Sequence, residues 1–106
     1  MVRELNGREF SRVRWAMKQA QEAMEAGEYK TALFELRAPL RLLERDSVQT
    51  RMLAVVLVLQ ADCYHDLRQK SKEKACLVHA LDTLERIHDE SPLGEQLKQR
   101  LADLEA

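Results

Sequence analysis

Eight consecutive apolar residues, Met52 to Leu59, constrain this 106-residue chain more than any other feature. A membrane-spanning helix needs about 20 such residues, so a run of this length belongs inside a protein core. Val55, Val56 and Val58 would suit a buried strand. The segments on both sides, however, carry apolar residues at helical intervals, and no partner strand is evident. The run therefore reads as the middle of a helix that is apolar all round, and such a helix must be surrounded by others. This predicts the central helix of an all-α fold, with Val55, Val56 and Leu59 inaccessible to solvent.

Four further helices follow from the same periodicity. Phe10, Val13, Met17, Ala20 and Met24 form one stripe, ended by Gly27, which can adopt the left-handed conformation past a helix terminus. Tyr29, Ala32, Leu36, Leu40 and Leu43 form the next. Phe34, Ala38 and Leu42 give that helix a second apolar flank, and Pro39 should kink or split it near Arg37. The central helix opens at Asp46-Ser47-Val48-Gln49, a capping sequence. The basic linker from Arg68 to Lys74 precedes a fourth helix with Ser71 as cap and Leu77, Ala80, Leu81, Leu84 and Ile87 on its apolar side. Ser91-Pro92 starts the fifth. Its narrow stripe of Leu93, Leu97, Leu101 and Leu104 suits a terminal helix covering the open end of a stack. The chain thus divides into a hairpin over 8–45, a second over 47–88, and a capping helix over 91–105, all within one domain spanning 1–106. Only three glycines and two prolines interrupt a composition rich in good helix formers.

Paired helices call for a test of internal repetition. Gly27, Tyr29, Ala32 and Leu36 have the order and spacing found around the helix-to-helix turn of tetratricopeptide (TPR) repeats, which this stretch resembles. Ala61, Tyr64 and Ala75 look like a second copy. Ala32 and Ala75 lie 43 residues apart, closer to the extended repeats of kinesin light chains than to the common repeat of about 34 residues. The resemblance implies a right-handed array of antiparallel helix hairpins and a non-catalytic protein–protein interaction module, an adaptor, scaffold or chaperone-like protein binding a partner's peptide or helix. It also implies a groove lined by Arg14, Met17, Gln21, Met24 and Glu25. The lysine–asparagine pattern with which some TPR domains clamp a C-terminal carboxylate is missing at Met17 and Gln21.

No phosphate-binding glycine loop, zinc-protease motif, nucleophile elbow or paired CxxC occurs, so no enzyme activity and no cofactor are expected. Cys63, His65, Cys76 and His79 are the best metal candidates. Cys63 and His65, however, lie about 200° apart around a helix, so a closed tetrahedral site would need a break in the helix there. Free thiols without metal are expected, and in a cytoplasmic protein they would be reduced. The opening residues carry no apolar segment of signal-peptide length, which fits a cytoplasmic location. Asp62 and Asp66, beside Tyr64, read either as polarity at a helix rim or as a contact within a groove.

Charge separates along the chain. Residues 1–18 carry five basic and two acidic side chains, while residues 81–106 carry three basic and seven acidic. The basic segments 3–18 and 68–74 support an alternative reading as a regulatory nucleic-acid-binding helical protein. The net charge of −1 and the lack of interleaved aromatic residues in the 68–74 segment argue against that alternative and against a membrane partner. Trp15 breaks its helix's pattern. It stands opposite the apolar stripe, near Arg8, Arg12 and Lys18, and reads either as packed under the N-terminal arm or last helix or as a partner contact. Arg8, Arg12, Arg14, Trp15, Met17, Lys18, Gln21 and Met24 are the candidate partner-binding residues. A homodimer pairing the basic end with the acidic one is expected, the alternative being recruitment of a partner helix onto the first hairpin.

Overall fold

The computed structural model describes residues 5–45 and 51–105, so the capping sequence at 46–49 lies outside the described residues. All regular structure among them is helical: α1 (Gly7–Glu25), α2 (Tyr29–Arg45), α3 (Arg51–Asp66), α4 (Lys70–Arg86) and α5 (Pro92–Glu105). Each helix packs on the next in sequence, and α1 also touches α3. Contacts of Gln60 with Cys76 and of His65 with Glu73 straddle the α3–α4 turn symmetrically, so these helices run antiparallel. A capping box starts α1. The Asn6 side chain accepts the Glu9 amide at 2.9 Å, and the Glu9 carboxylate accepts the Asn6 amide at 3.0 Å.

Three turns share one design. After α1, the Gly27 amide donates to Met24 and the Glu28 amide to Ala23; Arg68 and Gln69 repeat this after α3, and His88 and Asp89 after α4. This is the Schellman arrangement, whose penultimate residue takes the left-handed conformation. Gly27 (φ 77°), Arg68 (φ 59°) and His88 (φ 53°) all do so, though only Gly27 is free of the steric cost a Cβ brings there.

The repetition is regular, but its period differs from the sequence-based expectation. Forty-one residues separate Gly27 from Arg68, Tyr29 from Lys70, and Arg51 from Pro92. At that interval Ala20 matches Ala61, Leu36 matches Leu77, Leu43 matches Leu84 and Val56 matches Leu97, all buried. Ala75 is not the counterpart of Ala32: it is exposed, and the buried side chain at the equivalent place is Glu73.

The core is a continuous cluster in which Leu36, Leu43, Leu53, Leu77, Leu84 and Leu97 are fully enclosed. The helix α3 supplies its largest share, and Val56 and Leu59 are buried as expected. Val55 is not: it is half-exposed with Val58 and Asp62 along one strip. The cause is that α3 is flanked closely by α2 and α4 but only lightly by α1. Two local expectations also change. The helix α2 runs unbroken through Pro39, whose ring is buried. The segment 70–74 is the first turn of α4 rather than a linker, and Ser71 lies inside that turn, with Gln69 at the cap position.

Candidate functional site

Two regions of the surface carry organised polar or aromatic side chains. The first joins α3, α4 and α5. Glu73 exposes only 4% of its surface, and its carboxylate accepts from Arg100 Nη2 at 3.1 Å and lies 3.2 Å from His65 Nδ1. Arg100 Nη1 donates to Asp62 Oδ1 at 2.8 Å. The position that holds a methyl group in the first hairpin, at Ala32, holds a carboxylate in the second, and a buried carboxylate must be paired. Arg100 meets that need from α5 and so fixes how α5 sits. Asp62 is therefore a contact between helices, while Asp66 remains exposed.

The second region is the outer surface of α1 and α2. Trp15 is 63% exposed and Phe34 is 66% exposed, with Phe10 partly exposed under the Arg14 guanidinium, 5.9 Å from its ring centre. Trp15 packs under neither the last helix nor any other described element; the N-terminal arm, residues 1–4, lies outside the described residues. Single exposed apolar residues are ordinary, but grouped aromatic side chains are not. Among the described residues, Arg8, Arg12, Lys18, Arg37 and Arg41 make no ion pair. In the second half Arg51, Lys74, Arg86, Lys98 and Arg100 are all paired, with Asp89, Glu105, Asp82, Glu95 and Asp62 respectively. Arg68, Lys70 and Lys72, around the α3–α4 turn, make no ion pair among the described residues, so the second half engages most of its cations internally, whereas those of the first hairpin face outward.

The eight candidate residues divide over this surface. Arg14, Trp15, Met17, Lys18 and Gln21 line one depression together with Phe10 and Met52 of α3. Arg12, on the other flank of Trp15 from Lys18, lines a cleft between α1 and α2 floored by Ala16 and Ala38, with Trp15 and Phe34 at its rim. Arg8 is exposed, and Met24 packs against the core. Phe34, Arg37 and Arg41, which join this surface, lie outside the eight candidates. Their pattern gives no warning, because Phe34 reads as part of a second buried flank of α2.

Cys63 is fully buried, and burial, then the nearby Asp62 and Asp66 carboxylates, push its thiol up to about 11. Burial also raises Cys76, which donates to Gln60 Oε1 at 3.8 Å. Such thiols are poor nucleophiles near neutral pH. No group of three or more His, Cys, Asp or Glu side chains among the described residues is placed to hold a metal ion. No helix among them is long and apolar enough to cross a membrane. No protein-family model, curated protein or solved structure matches the chain.

Proposed function

We propose that this chain is a non-catalytic protein-interaction module, built as a TPR-like right-handed array in which α1–α2 and α3–α4 are successive hairpins and α5 covers the open side. The 41-residue period shared by turns, helix starts and buried positions supports a repeat architecture. The observation that carries the functional reading is the coincidence, on the first hairpin, of exposed aromatic side chains with cations that make no ion pair among the described residues. Trp and Arg are the residues most enriched at energetic centres of protein interfaces. Met17 and Met52, in the depression beside Trp15, supply an adaptable apolar floor.

The test is capture from native extract by the wild-type chain and by an Arg12→Glu/Trp15→Ala double variant, with nuclease treatment in parallel. A polypeptide partner that survives nuclease and is lost with the double variant supports the reading. Retention of nucleic acid alone, lost steeply as salt rises, would favour the alternative of a polyanion-binding protein.

A further inference from the structure

The 41-residue period assigns α1 an uncovered stacking face. Translated along the chain, Trp15 corresponds to Val56 on α3 and to Leu97 on α5; Ser11 corresponds to Met52 and Leu93, and Lys18 to Leu59 and Arg100. Val56 and Leu97 are 0% and 1% exposed, against 63% for Trp15. The difference lies in what precedes each helix. The helix α3 packs on α2, and α5 packs on α4, whereas no helix among the described residues packs on α1 from its N-terminal side. The face of α1 bearing Ser11, Trp15 and Lys18 is thus the one that its two counterparts use to receive a helix.

The charge of the expected helix also follows. At the α4–α5 junction Arg100, the counterpart of Lys18, reaches across to a carboxylate, Glu73. On α1, Lys18 has no such partner, nor do Arg8 and Arg12 alongside it. The nearest acidic residue on the same face, Glu22, stands one turn beyond Lys18 towards Gly27. We propose, resting on the interaction-module reading, that α1 receives an acidic amphipathic helix of a partner protein, in the position α4 takes on α5. Its apolar stripe covers Trp15, and its carboxylates meet Lys18, Arg12 and Arg8. Helix-in-groove recognition of this kind is anchored by side chains at intervals of three and four.

The experiment uses the full chain and a labelled synthetic helix of about five turns, with Leu on one stripe and Glu elsewhere. Controls are a scrambled peptide of the same composition, a version with Lys for Glu, and oligothymidylate. The acidic helix should bind and shift Trp15 emission to the blue. Trp15→Ala should weaken binding by about 30-fold or more, the scale of a hot-spot residue. Lys18→Glu should weaken the acidic helix and strengthen the basic one, a reversal that misfolding cannot produce. Phe34→Ala, on the opposite flank, should change little. Failure of the acidic helix to bind, equal binding of the scrambled or basic peptide, or loss with Phe34→Ala in place of Trp15→Ala would each overturn the proposal. So would tighter binding of oligothymidylate through the same residues, or self-association of the chain that Trp15→Ala abolishes, which would make a second copy the occupant. If the peptides fail while Arg12→Glu/Trp15→Ala still loses a polypeptide from extract, only the helix proposal falls; if both fail, the module reading falls with it.

Discussion

At the scale of single residues, Glu73 is the most consequential side chain and the one least visible in advance. Its neighbours in sequence are Lys72 and Lys74, so it reads as one charge in a basic turn. Only the fold shows that it fills the place of Ala32 and depends on Arg100. Arg100→Ala should destabilise the protein by about 2 kcal/mol, because it leaves a buried carboxylate with only His65 beside it. Urea unfolding checks this, and a loss below about 0.5 kcal/mol, the ordinary range for surface substitutions, would contradict it. Cys63 gives a second prediction. Its folded thiol is raised from 9.0 to about 11, so the folded state holds a proton that the unfolded chain releases. The associated stability is fully present below pH 9 and is lost as pH rises to about 11. Unfolding midpoints should fall across that window more steeply in the wild type than in Cys63→Ala. Within the same reading, Cys63 should resist alkylation at neutral pH until the protein is unfolded.

At the scale of elements, the helices were legible because their stripes repeat at three and four, while the turns were legible only where glycine marks them. Gly27 located the α1–α2 turn directly. The α3–α4 turn uses Arg68 in the same conformation, without a sequence signal, and so the basic segment 68–74 looked like a linker and the period came out two residues long. Asn6 and Glu9 stand at the spacing of a capping pair, a helix-start signal that is legible in the sequence. The two turns make opposite predictions. Gly27→Ala should cost about 1 kcal/mol, since the added Cβ meets nothing within 4 Å and the penalty is that of the left-handed backbone alone. Arg68→Gly should stabilise by about 0.5–1 kcal/mol, the relief of strain exceeding the greater freedom of glycine in the unfolded chain. Equal signs for the two substitutions would contradict the shared turn design.

At the scale of the whole molecule, the two halves differ in what they do with charge. The C-terminal half pairs Arg51, Lys74, Arg86, Lys98 and Arg100 internally, leaving Arg68, Lys70 and Lys72 around one turn unpaired, and locks α5 to α3 and α4 through Arg100. The first hairpin leaves Arg8, Arg12, Lys18, Arg37 and Arg41 unpaired around Trp15 and Phe34. The sequence showed the uneven charge and the misplaced Trp15. It could not show which carboxylates are already engaged, because Asp62, Glu73 and Glu105 find their partners across helices. The measurement that bears most directly on this account is hydrogen exchange of the chain, alone and bound to the polypeptide it captures. Slower exchange confined to α1 and the adjoining part of α2, with α4 and α5 unchanged, is the predicted result. Protection centred on α4 and α5, with α1 exchanging as in the free chain, would contradict it.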